Sequence, residues 1–217
     1  MHKETAVVFI KKMLFMAIGM LVQSGGVYLL IRSKLGLAPV ALLNQGLSVA
    51  FHVSYGGGAL ISGLSCLFIV LVWCRKYINI GTFIITFSFG ILVDVVSSVL
   101  DLFIPAADGP WMQCLYFAVG FFLLNYGIGL VVATRIGAGS VEALTLTIAY
   151  KTGIPFKWVK VMFEVLCVIV GVLLVWPESF VGTVILALLS GPAVAHGIRL
   201  SDRYILEKVG LHGEEIK

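Results

Sequence analysis

The sequence predicts an all-α membrane protein of six transmembrane helices, arranged as two inverted three-helix repeats. Three observations lead there: the composition, the spacing of apolar runs, and a match of the chain with itself at an offset of 101 residues. Of the 217 residues, 60% are hydrophobic and 12% are charged, and the mean hydropathy is +1.07. A soluble domain is about 45–50% apolar and about 25% charged. A soluble enzyme is therefore excluded, because too little polar surface remains to cover a globule. A nucleic-acid binder is excluded as well, because the net charge of +4 is spread in small clusters and forms no basic face.

A helix needs roughly 20 apolar residues to cross about 30 Å of hydrocarbon. Six stretches qualify: 13–31, 59–74, 78–99, 112–133, 158–176 and 179–198. The first is too long for the roughly 7–15-residue apolar core of a signal peptide, so it is expected to be retained. Lys and Arg favour cytoplasmic loops. With six spans and an inside N-terminus, 13 of the 15 basic residues are cytoplasmic and only Arg32 and Lys34 lie outside. Counting the short segments 39–54 and 140–152 as two further spans lowers the ratio to 10 against 5. Six spans with both termini inside fit better.

The self-match explains the count. Gly19, Gly26, Gly36, Gly81 and Gly90 meet Gly120, Gly127, Gly137, Gly182 and Gly191. Thr82 meets Thr183 and Cys66 meets Cys167, among 14 identities between positions 14 and 93 and their partners. A unit with an odd number of spans re-enters from the opposite side, so the copies are expected to be inverted. The first repeat takes residues 1–100 and the second 112–198. The Pro- and Gly-containing segment 101–111 links them, and 199–217 forms a cytoplasmic tail. That tail, from Ser201-Asp202, reads as amphipathic, with Ile205, Leu206 and Val209 toward lipid.

Each repeat also holds one short helix, over 39–54 and 140–152. Pro39 suits a first helical position, Ser140 an N-cap, and Gly153 a C-terminal stop. At roughly 20–24 Å these helices are short for a span. The sequence leaves open whether they re-enter, span or lie at the interface. Ala41, Asn44, Ser48 and His52 share one helix face, and Glu142, Thr145, Ala149 and Gly153 share the equivalent face. Asn44, Ser48, Glu142 and Thr145 are the expected substrate-binding residues, lining a cavity to which half-helix N-termini would attract anions. Two amphipathic interface helices without a ligand are the plainer alternative.

Three stretches resemble the YczE branch of the YczE/YyaS/YitT family of bacterial membrane proteins: LGLAPVALLNQGLS from Leu35, IGTFIITFSFGILVD from Ile80, and IGAGSVEALTLTIAYKTGIPFKWVKVMFE from Ile136. The family pattern has a Trp-Asp pair after its first Gly-x-Gly-Pro, where Val40 and Ala41 stand here. Glu142 supplies the corresponding acid of the second repeat, and Asn44 stands where relatives carry His. The resemblance implies a bacterial inner-membrane protein and gives no substrate.

Charge inside a bilayer costs at least roughly 2.5–3.5 kcal/mol at its centre. Asp94, Glu142 and His196 are therefore the candidates for proton or ion coupling, and Asp94 and His196 could approach each other across the repeat axis. Hydration at opposite interfaces is the plainer reading of that pair. Glu164 follows Lys160 by four residues, which predicts an ion pair. Gln23, Ser24 and Asn125 read as hydrogen-bonding links between spans, and the glycines at 19, 26, 120 and 127 as close-packing positions. Gly56-Gly57-Gly58 reads as a hinge before the second span. Cys66 and Cys167 read as small buried side chains, and no metal spacing, cofactor motif or nucleophile–base pair is present.

The expected function is secondary transport or export of a small solute by alternating access, without enzymatic activity. The alternative is a non-transporting binding subunit or partner of another membrane complex. The partners expected are the lipid bilayer and a small-molecule substrate, with a homodimer left open.

Overall fold

The computed structural model describes residues 2–73, 78–137, 139–175 and 181–203. These residues form eight helices: α1 (His2–Ser33), α2 (Pro39–Phe51), α3 (Tyr55–Trp73), α4 (Ile80–Leu100), α5 (Pro110–Ala133), α6 (Ser140–Thr152), α7 (Phe156–Leu174) and α8 (Val181–Ser201). The bounds of α2, α3 and α4 recur in α6, α7 and α8 at an offset of 101 residues. The left-handed residues recur with them. Lys34 and Arg135 have φ of 57° and 55°, and the helix-ending residues His52 and Gly153 have φ of 53° and 70°.

Among the described residues, five helices are long and apolar enough to cross a membrane: α1 from Val7, α3, α4, α5, and α8 from Gly182. The sixth expected span, 158–176, corresponds to α7. It matches α3 in length at 19 residues but carries Lys157, Lys160 and Glu164. Large apolar side chains face outward along these helices. On α3, Leu64, Phe68 and Val72 follow one another at four-residue spacing and are all exposed. In water such a stripe would be a liability; against lipid tails it is the low-energy face.

Glycines decide how closely the long helices cross. A methyl at Gly26 would collide with the backbone of Leu124, and one at Gly127 with the backbone of Gln23. Helices α1 and α5 thus meet backbone to backbone. Helix α4 packs on α1 and α3, α8 packs on α5, α2 lies between α3 and α7, and α6 lies against α3 and α7. The largest core cluster, including Val27, Leu30, Leu42, Val93, Leu124 and Leu186, draws on both halves of the chain.

Several expectations need correction. Ser140 is the first residue of α6, and Gly139 is its cap. Gly56, Gly57 and Gly58 do not form a hinge but belong to α3. A side chain at Gly56 would strike the Gly90 carbonyl, and one at Gly58 the Asn44 carbonyl, so two of these glycines serve close packing. The linker is shorter than expected, because α5 starts at Pro110 behind Gly109, whose φ is +97°. Ser24 and Asn125 do not bridge helices. Each donates to the carbonyl four residues back, Met20 and Phe121, both at 2.7 Å, which is the nearest acceptor inside a helix. Asn125 Oδ1 has no hydrogen-bond partner. The tail from residue 204 onward, Cys74, and the loop residues Arg75 and Lys76 lie outside the described residues.

Candidate functional site

The segments entering the two short helices are pinned by the far half of the chain. Gly182 donates its N–H to the Leu35 carbonyl at 2.8 Å, and Leu37 donates its N–H to Thr183 Oγ1 at 3.1 Å. Gly36, at φ +140°, presses its bare Cα against Gly182 and Thr183. The equivalent contact sets Gly137 against Gly81 and Thr82. This is why the Gly-Thr pair recurs. The glycine admits the incoming chain, and at Thr183 the hydroxyl takes an amide that no helix would otherwise satisfy.

The N-terminus of α6 abuts the middle of two longer helices. A methyl on Gly63, eight residues into α3, would lie 3.3 Å from Ser140 Oγ and 3.1 Å from Thr86. Three charges gather beside this N-terminus. Lys160 Nζ is 3.6 Å from Glu142 Oε1 and 3.5 Å from Glu164 Oε1. The expected Lys160–Glu164 pair is therefore present, and Lys160 also reaches Glu142 on the neighbouring helix. Glu142 folds back over the cap, its Oε2 lying against Gly139. All three side chains are about a quarter to two-fifths exposed. Glu164 lies eight residues along α7, about 12 Å from its start. Glu142 lies ten residues from the end of α6, about 15 Å along its axis.

A second polar cluster joins α2, α3 and α4. Ser62 donates to Asn44 Oδ1 at 2.5 Å, Asn44 is 4% exposed, and the Tyr55 side chain lies beside Asn44. Nearby, Asp94 of α4 receives the Ser54 hydroxyl at 2.5 Å and the Gly56 N–H at 2.8 Å. Ser54 Oγ in turn accepts the Gly57 N–H at 3.0 Å. Asp94 thus caps the first turn of a neighbouring helix, where exposed N–H groups favour an anion.

The expected site residues are consequently divided. Asn44 belongs to the α2–α3–α4 cluster and Glu142 to the α6–α7 cluster. Ser48 donates to the Gln45 carbonyl at 3.1 Å. Thr145 donates to the Val141 and Glu142 carbonyls, each at 3.0 Å. Both hydroxyls are buried and bound to their own helices. His196 is exposed and its Nδ1 is 2.9 Å from the Tyr126 hydroxyl of α5, so Asp94 and His196 belong to different helix pairs. Ser54, Tyr55 and Ser62 were not anticipated. They lie 11 to 40 residues from their partners and carry no periodic signal that would join them.

Two open hollows, of about 560 Å3 beside α6 and α7 and about 390 Å3 between α1 and α4, are lined almost wholly by apolar side chains such as Phe163, Leu166, Met16 and Leu92. Cys66 and Cys167 are buried and unpaired. Among the described residues no group of three His, Cys, Asp or Glu is placed to hold a metal ion.

A helical bundle with apolar outward faces and ion pairs gathered between its helices defines an integral membrane protein. The chain belongs to DUF6198, a family of unknown function, whose pattern matches residues 10–198. It is similar to the uncharacterized membrane protein YczE of Bacillus subtilis (strain 168), at 27% identity over 80% of this chain and 79% of that protein. It is also similar to the uncharacterized protein YyaS of the same organism, at 23% identity over 91% of this chain and 97% of that one. No solved structure matches.

Proposed function

We propose that the protein is a secondary transporter of a small solute in the bacterial inner membrane, working by alternating access between two inverted repeats. The observation that carries this reading is the Glu142–Lys160–Glu164 cluster at the N-terminus of a helix too short to span. Ions inside a bilayer are costly and persist where they face a pathway or one another. Interrupted helices in lipid are tolerated where they meet protein or a cavity. Inverted-repeat transporters combine these two features near the bilayer midplane.

The topology follows from the same reading. Helices α1, α3, α4, α5, α7 and α8 cross the membrane, α2 and α6 enter from opposite faces, and both termini are cytoplasmic. Recurrence of the helix bounds at 101 residues supports the repeat. So does the pairing of α2 with α7 and of α6 with α3, since each short helix leans on a long helix of the other half. The glycine-lined crossing of α1 and α5 would lie on the symmetry axis, and the halves would rock about it.

The test is flux. Purified protein in liposomes is presented with labelled pools of amines, amino acids, sugars and carboxylic acids. One pool is expected to enter saturably, and Glu164→Gln to slow it roughly tenfold, or 1.4 kcal/mol of barrier, with the elution profile unchanged. Folded protein that moves none of the pools, and always co-purifies with a stoichiometric partner, would instead be a binding subunit.

A further inference from the structure

We propose that the Glu142–Lys160–Glu164 cluster binds a small organic cation bearing an ammonium or guanidinium group. The inference rests on reading that cluster as the transport site, and it names the substrate class.

The site already holds an ammonium, supplied by the protein. Lys160 Nζ lies between two carboxylates from two helices, 3.6 Å and 3.5 Å away. Two carboxylates against one ammonium leave one formal negative charge, and a single monovalent cation cancels it. A partly desolvated cluster gains more from that cancellation than a hydrated one, because the effective dielectric is lower. Without a group of three metal-ligating side chains among the described residues, a cation held by N–H donors suits the pair of carboxylates better than a metal ion.

Anions are disfavoured on independent grounds. A half-helix N-terminus attracts an anion through its free N–H groups and its dipole, and both short helices are short of such free groups at their entry. At α2 the first helical residue is Pro39, which has no N–H, and the Leu37 N–H before it is taken by Thr183. At α6 the carboxylate of Glu142 lies over the cap at Gly139, so that end is already occupied by an anion of the chain itself. The equivalents of Glu142, Lys160 and Glu164 in the first half are Ala41, Ala59 and Gly63. The charge is thus confined to one half, and one cation site is expected per chain.

The probe is methylguanidinium, which stays charged at neutral pH and does not cross lipid unaided. Melting of the purified full chain is followed with methylguanidinium chloride, sodium acetate, sodium phosphate or sodium chloride at matched ionic strength, and methylguanidinium uptake is followed in liposomes. Methylguanidinium is expected to raise the melting temperature saturably, and the sodium salts are not. Glu142→Gln and Glu164→Gln should each remove the shift, and Lys160→Met should tighten binding about tenfold by removing the competing charge. Should Glu142→Gln fail to fold, Glu164→Gln decides, since Glu164 pairs with Lys160 one turn away on its own helix. A carboxylate-dependent shift without uptake keeps the cation site and removes the transport reading. A shift with acetate or phosphate, a methylguanidinium shift untouched by Glu164→Gln, or no shift at all overturns the cation site, and flux of another pool would then leave transport standing.

Discussion

Thr183 Oγ1 accepts the N–H of Leu37 across 146 residues of sequence. Both groups are buried, and the contact ties the entry of α2 to the first turn of α8. Replacing Thr183 with Val keeps the shape and leaves the amide without its acceptor, at a cost of about 1–3 kcal/mol. Thr183→Ser should retain most of the stability. Thermal melting in detergent reads the difference, and equal melting of the Val and Ser variants would remove the hydrogen bond from the account.

The crossing of α1 and α5 predicts opposite results at neighbouring glycines. At Gly26 a side chain meets the Leu124 backbone, whereas at Gly25 nothing lies within 4 Å. Gly26→Val should destabilise by about 1–3 kcal/mol, since backbone cannot yield as a side chain can. Gly25→Ala should be neutral or stabilise by roughly 0.5–1 kcal/mol, because alanine is the better helix former. Melting temperature and monodispersity of the two variants are the measurements. Like effects at both positions would contradict the close crossing.

Asp94 serves as a cap supplied by a neighbouring helix, so its amide should replace it partly. Asparagine can still accept the Gly56 N–H, although it loses the charge. Asp94→Asn should cost less than about 1 kcal/mol and Asp94→Ala about 1–2 kcal/mol, after allowance for partial exposure. The ordering of the two melting temperatures is the readout. A variant that melts normally yet loses solute flux would move Asp94 from capping to coupling.

The proposed inverted topology predicts opposite accessibility at equivalent ends of the short helices. In a background lacking the native cysteines, Val53→Cys should react with an impermeant thiol reagent added outside. Thr152→Cys should react only after the membrane is opened. Both positions are exposed at or just beyond helix ends. Labelling of both from the same side would refute inversion.

Much of the helical layout was legible in the chain. Apolar runs, Pro39, Gly153 and the recurring glycines set where helices start, stop and cross, because these signals act within a few residues of themselves. The glycines at 56–58 show the limit of such reading. Three in a row suggest a loop, yet Gly56 and Gly58 stand in α3 where other backbones approach. Ser48 and Thr145 share a face with polar neighbours, as periodicity predicts, but their hydroxyls turn to their own carbonyls. Side-chain rotation is a local competition that periodicity does not see.

The sequence by itself determined an apolar, all-helical chain whose glycines recur at an offset of 101 residues, since hydropathy and recurrence are properties of the chain alone. It also named Glu142 and paired Lys160 with Glu164, because four residues make one helical turn. Only the tertiary structure decided that Glu142 joins that pair, that Asn44 keeps company with Ser62 and Tyr55, and that Asp94 caps α3 rather than meeting His196. Those choices depend on how helices far apart in sequence cross, and backbone contacts at Gly26, Gly56 and Gly127 set the crossings.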